Sequence, residues 1–193
     1  MSQLNDLPLS SQQDAGPPRG LLPPSGGGTG EARPWGPSPA GGDKRIALVE
    51  AQWHAEIVHQ ARDAFLAEME RLGVPRERID VLDVPGAFEI PLHAKRLALS
   101  GRYAAVVCCA LVVDGGIYRH EFVASTVVSS LMALQLDTGV PMISAVLTPH
   151  HFHEHVEHRK YFQRHFAVKG TEAAEACVKT IEGLYRIDAL IAA

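Results

Sequence analysis

Cysteine is scarce in this chain of 193 residues: Cys108 and Cys109 are adjacent inside an apolar run, and Cys177 stands alone. An odd count without paired spacing supplies no disulfide framework and no zinc knuckle. A reducing, cytoplasmic compartment is the expectation. Positive charge is also short, with 18 Lys and Arg against 22 Asp and Glu and a formal charge of −4. That balance leaves no basic field for nucleic acid and no polybasic stretch for a membrane surface. No apolar run is long enough to span a bilayer.

Large apolar residues are rare over 1–43, which holds 9 of the 17 Gly and 8 of the 13 Pro. Gly26-Gly27-Gly28 and Pro34-Trp35-Gly36-Pro37-Ser38-Pro39 propagate neither helix nor strand, so 1–43 reads as a disordered tail. A signal or transit peptide fails for want of an apolar core or an Arg-rich amphipathic pattern. Trp35 reads as an idle aromatic or a docking point. The folded domain is expected over 44–193.

What that domain has is four short apolar runs: 45–50, 79–84, 103–113 and 141–147. Near-continuous apolarity, rather than alternation, marks strands covered on both faces. Between them, Val58, Ala61, Phe65, Met69 and Leu72 step by three and four, and Gly73 closes that helix. Helices are also expected over 87–99 and 120–138. A fourth is expected from Thr148-Pro149, with Thr as cap and Pro in the first turn, and a last one over 171–190. The order β-α-β-α-β-α-β-α-α predicts an α/β protein, a three-layer α/β/α sandwich on a four-stranded parallel sheet of flavodoxin-like type. The loops at 50–54, 84–89, 111–120 and 147–151 then fall on one edge, where open sheets of this kind bind ligands.

Each loop carries chemistry. Trp53 reads as a stacking platform for a flat heterocycle or as a core or interface Trp. Val84-Pro85-Gly86-Ala87-Phe88-Glu89-Ile90-Pro91 places backbone N–H groups, an aromatic ring and a carboxylate together. Glu89 reads as an acceptor for polyol hydroxyls or as a first-turn acid that complements the helix dipole. Asp114-Gly115-Gly116-Ile117-Tyr118-Arg119-His120 combines a Gly-Gly turn, a cation and a proton carrier. It is neither a Walker loop nor G-x-G-x-x-G, so no nucleotide is specified. In 150–160, His151, His155 and His158 have the spacing of one helical face. The H-E-x-x-H pattern is absent there, so a solvated polar helix is preferred to a zinc site. Thr171 and Glu172 read as a cap and a first-turn acid before an Ala-rich helix.

Taken together, these residues resemble the 6,7-dimethyl-8-ribityllumazine synthase family. The Pro-Gly-Ala-Phe-Glu-Ile-Pro block is the specific element. Arg45-Ile46-Ala47-Leu48-Val49, the Gly115-Gly116 loop, Asp137-Thr138-Gly139-Val140-Pro141, Val146-Leu147-Thr148 and Lys169-Gly170-Thr171-Glu172-Ala173-Ala174 follow in order. The resemblance covers 44 to about 185. Gly-Gly-Ile-Tyr-Arg-His-Glu-Phe-Val and Leu-Thr-Pro-His-His-Phe-His-Glu-His are similar to the family's second type, associated with rhizobial and Brucella-like bacteria and with decamers built from two pentamers.

The resemblance implies condensation of 5-amino-6-(D-ribitylamino)uracil with 3,4-dihydroxy-2-butanone 4-phosphate, giving the lumazine precursor of riboflavin without any cofactor or metal. It implies that Trp53 stacks on the pyrimidine and that Ala87 and Glu89 hold the ribityl chain. Val112 and Val113 line the ring, Lys169 approaches it, and Gly86, Phe88 and Ser144 complete the substrate set. Gly115, Gly116, Ile117, His158 and Arg159 fall at phosphate-binding positions. His120, Arg119 and Glu172 fall at proton-transfer positions. The pattern departs from the common type: Asp114 replaces an Arg, Ile117 replaces a Thr, and Arg119 stands at the place of the usual His, with His120 one later. Weaker catalysis follows. Active sites between subunits of at least a pentamer are implied, with riboflavin synthase as a further partner. The competing expectations are a slow flavin- or lumazine-binding protein of the same fold and a metal-dependent hydrolase.

Overall fold

The computed structural model describes residues 44–117, 119–153 and 155–193. The expected tail over 1–43, with Trp35, lies outside the described residues, as do Tyr118 and Glu154.

Four strands, β1 (Arg45–Ala51), β2 (Ile79–Val84), β3 (Tyr103–Leu111) and β4 (Met142–Leu147), form one parallel sheet in the order β2-β1-β3-β4. Val49 of β1 pairs with Leu82 on one side and Cys108 on the other. The inner strands β1 and β3 are buried almost throughout, whereas the outer strands β2 and β4 are half-buried. This is why the run at 103–113 reads as the most apolar. Side chains alternate: Ile46, Leu48, Val107 and Cys109 face one layer, and Ala47, Val49, Val106 and Cys108 the other.

Helices α1 (Ala55–Arg71) and α4 (Val156–Ala192) cover the first face; α2 (Ile90–Leu99) and α3 (His120–Thr138) cover the second. Helix α1 buries Ile57, Val58, Ala61, Phe65 and Met69 along one stripe. It ends where Gly73 takes φ 86° and the Val74 N–H donates to the Met69 carbonyl at 2.9 Å. The four-strand α/β/α sandwich is as expected.

Three expectations are corrected. Residues 87–89 form a 3₁₀ turn, and regular helix starts at Ile90. Strand β3 stops at Leu111, although the Val112 N–H still bonds the Leu147 carbonyl at 2.9 Å. The largest correction concerns the C-terminal third. No helix starts at Thr148-Pro149, because residues 148–153 are non-helical; a single 37-residue helix then begins at Val156. In this segment Phe152 packs its ring between His54 and Phe162. Gly170 does not punctuate α4. A Cβ there would lie 2.1 Å from the Ala61 carbonyl oxygen, so this glycine lets two helix backbones touch. Thr171 caps nothing: its hydroxyl donates to the Ala167 carbonyl at 3.3 Å inside the continuous helix.

Candidate active site

All strands run the same way, so the loops after β1, β2, β3 and β4 share the carboxyl edge of the sheet. The order reverses between β1 and β3, which puts a crevice beside the end of β1.

After β1, the Gln52 N–H donates to the Val84 carbonyl at 2.9 Å and ties this turn to β2. Trp53 follows, 71% exposed, and then His54 at φ 55° starts α1. After β2, Gly86 is buried in extended backbone. A Cβ placed on it would meet Glu89 Oε2 at 3.2 Å and two Trp53 ring carbons at 3.8 Å. Gly86 is therefore where indole, main chain and carboxylate converge. Ala87 is buried, Phe88 is 67% exposed, and half-buried Glu89 uses its backbone carbonyl to receive His93 Nδ1 at 2.8 Å. The indole offers a flat apolar face here and the carboxylate offers acceptor oxygens.

The loop after β3 has a different character. Val112 is buried and Val113 half-buried. Beyond them, Asp114 Oδ1 accepts the Gly116 N–H at 2.7 Å, so the Gly-Gly turn already holds a carboxylate. Gly116 takes φ 78°, and both Gly115 and Gly116 have open space around them. Ile117 is 82% exposed. The Arg119 guanidinium lies 4.3 Å over the Phe122 ring, a cation–π contact. His120 opens α3 with its side chain largely covered and Nδ1 3.8 Å from Glu121 Oε2. The two candidates for proton transfer thus differ: Arg119 rests on an aromatic face, whereas His120 sits at the helix start with its side chain largely covered.

The histidine-rich segment does not form the expected helical face, since His151 and His155 precede α4 and only His158 lies in it. His158 Nδ1 accepts the His153 N–H at 3.3 Å, and Arg159 is paired with Glu56 at 2.8 Å. Among the described residues, no three His, Cys, Asp or Glu are placed to hold a metal ion. Lys169 and Glu172 pair with each other at 2.7 Å, well down α4. Ser144 stands at mid-strand on β4, opposite Cys108 and exposed, not at the strand's carboxyl end. Within one chain, then, the structure joins Trp53, Gly86 and Glu89 and leaves Ser144, Lys169 and Glu172 on surfaces of their own.

Sequence reasoning passed over a buried polar group beneath this rim. Glu50, on β1, is wholly buried; Arg62 of α1 donates to its Oε1 at 3.0 Å and His59 Nε2 lies at 3.7 Å. Burial pushes its carboxyl above the ordinary value near 4.5, and Arg62 pulls the other way. A carboxylate in the last turn of an apolar strand was the available signal. The left-handed turn at His54 and the supporting ring of Phe152 were also missed. Neither has a signature in a single sequence.

An open parallel sheet in the flavodoxin-like order, with aromatic, carboxylate and Gly-Gly loops on its carboxyl edge, defines an α/β protein that takes small ligands at that rim. The comparisons refine this. The family model for 6,7-dimethyl-8-ribityllumazine synthase matches residues 43–184, and the chain belongs to that family. The chain is 58% identical over 141 residues, 73% of its length and 91% of the relative's, to the 6,7-dimethyl-8-ribityllumazine synthase of Rhodococcus erythropolis. It is 57% identical over 150 residues, covering 76% and 88%, to a protein of Pseudomonas syringae pv. tomato named 6,7-dimethyl-8-ribityllumazine synthase 2. A protein of the same name from Bradyrhizobium diazoefficiens is 55% identical over 150 residues, covering 78% and 90%. The chain is a transferase of riboflavin biosynthesis that forms 6,7-dimethyl-8-ribityllumazine from small-molecule substrates. These relatives disfavour the slow binding protein and the hydrolase.

Proposed function

We propose that the rim divides the reaction into a ring-holding half and an anion half. The convergence of the Trp53 ring and the Glu89 carboxylate on Gly86 carries this reading. In it, Trp53 stacks on the pyrimidine and Phe88 shields its edge. Val112 and Val113 line the ring, and Glu89 with the Ala87 backbone accepts and donates to the ribityl hydroxyls. Gly115, Gly116 and Ile117 shape the phosphate site, where Asp114 must yield its bond to Gly116 before an anion can use that N–H. His120 moves protons while the substrate amine attacks the ketone, the imine forms with loss of one water, phosphate leaves and the ring closes with loss of a second water. Arg119 supplies fixed positive charge. Proximity and proton transfer supply the rate.

His158, Arg159, Lys169, Glu172 and Ser144 complete the site of a neighbouring chain in this reading, so the working unit is a pentamer or a pair of pentamers. The exposed apolar side chains Leu92, Leu99, Val128, Met132 and Leu136 on α2 and α3 support a subunit contact. The reaction takes place in the cytoplasm, and riboflavin synthase is the partner that consumes the product. The test is steady-state formation of the lumazine from both substrates, with light scattering on the same sample. Turnover far above the spontaneous condensation by a pentamer-based particle is expected. A monomer with full activity would overturn the shared site.

A further inference from the structure

We infer that His54 is a positioning residue: its left-handed backbone, locked by Phe152, sets the bearing of the Trp53 ring. The inference rests on the reading of Trp53 as the pyrimidine platform. His54 is the one residue other than glycine with positive φ among those described, at φ 55° and ψ 41°. Such a conformation costs free energy and persists where the surroundings over-determine it. Here they do so from both sides. The Gln52 N–H is held by the Val84 carbonyl, and the His54 carbonyl accepts the N–H groups of Ile57 at 2.8 Å and Val58 at 3.1 Å. The chain turns from β1 into α1 within two residues, and Trp53 is the residue in between.

Histidine suits the position twice. With Asn and Asp, it is enriched several-fold in left-handed backbone. Its ring also meets Phe152 edge-on, with centroids 5.1 Å apart at 65°. Phe152 in turn lies 5.5 Å from the buried Phe162 of α4. The turn is thereby anchored to the core through two phenyl rings. Trp53 itself is largely exposed, with Gly86 close to one side of its ring. Its direction comes from the backbone beneath it.

The test uses full-length protein in a Trp35→Phe background, which leaves Trp53 as the single indole. The probe is 5-amino-6-(D-ribitylamino)uracil. Valine strongly resists left-handed backbone. His54→Val is expected to raise the KM for the pyrimidine roughly tenfold, about 1.4 kcal/mol, and to weaken quenching of Trp53 emission to match. The kcat and the KM for the phosphate substrate should stay within about twofold. His54→Asn keeps the backbone preference and loses only the ring contact, so it should return the pyrimidine KM to within roughly threefold of the parent. Thermal unfolding checks that each variant folds, and His54→Ala serves if the valine variant does not. The inference is overturned if His54→Val or His54→Ala matches the parent in KM and quenching. It is equally overturned if both KM values rise together and His54→Asn gives no rescue. Trp53→Ala separates the two levels: no change in pyrimidine KM sinks the platform itself, whereas a rise without any effect at His54 sinks only the positioning role.

Discussion

The two helical layers of this molecule solve the same packing problem differently. The α1/α4 layer has a tight crossing between its two helices. Its backbones touch at Gly170 and Ala61, Phe65 and Phe166 are fully buried, and Glu50 is matched by Arg62. The α2/α3 layer packs smaller residues, Ala94, Ala98 and Ala124, against the sheet and leaves Leu92, Leu99, Val128, Met132 and Leu136 exposed. Both layers keep apolar surface for something else to cover, but on α4 it lies away from the crossing with α1, at Tyr161, Val168, Ile187, Leu190 and Ile191. The candidate chemistry is divided too, though not layer by layer. The indole-carboxylate half of the rim assembles within the chain, while Lys169, Glu172 and Ser144 point elsewhere.

Four experiments press on this contrast. The largest effect is expected at Gly170→Ala. An interior helix position ordinarily gains about 1 kcal/mol from this change, but here the methyl meets backbone, and a loss of about 3 kcal/mol is expected instead. Chemical denaturation of the variant reads the sign directly; a stabilised protein would show that the two helices do not touch at Gly170 as described. Next, Met132→Glu on α3 should leave the secondary structure of the chain intact while the assembly falls to smaller species. Circular dichroism with light scattering follows both, and an unchanged particle would remove α3 from any subunit contact.

The third effect is a pH dependence. The Glu50 carboxyl in the fold sits above its ordinary value because burial disfavours the charged form. A group raised in this way is stabilising when protonated. Its contribution is present below about 4.5 and is lost as pH rises through the folded value. Glu50→Gln should therefore flatten the unfolding temperature over the weakly acidic range, and a profile that keeps its slope would exclude Glu50 as the cause. Smallest is Asp114→Ala. Freeing the Gly116 N–H should lower the KM for the phosphate substrate about threefold, leaving the pyrimidine KM alone. A higher phosphate KM would mean that Asp114 supports the loop more than it competes with the anion.

The strands were legible because inner strands covered on both faces must be apolar throughout, as at 103–111. Helix α1 was legible from its three-four spacing and from Gly73. Helix α4 was not. Thr148-Pro149 and Gly170 are punctuation by local rules, but the first was overridden by Phe152 packing and the second by contact with Ala61. At the site, the Gly86–Glu89 block was legible because glycine, aromatic and carboxylate side by side after a strand have few structural uses. The bond from Gly116 to Asp114 and the conformation of His54 were not, since both depend on backbone angles that neighbouring residues do not dictate.

Successive residues of a helix turn by about 100°. With Gly170 pressed on Ala61, helix α4 cannot roll about its long axis. Lys169, one step back, is thereby aimed to the side of α1, and Glu172, two steps on, away from it. A missing methyl group on one helix thus acts as a keyway, fixing the compass heading of an ion pair toward whatever molecule docks alongside.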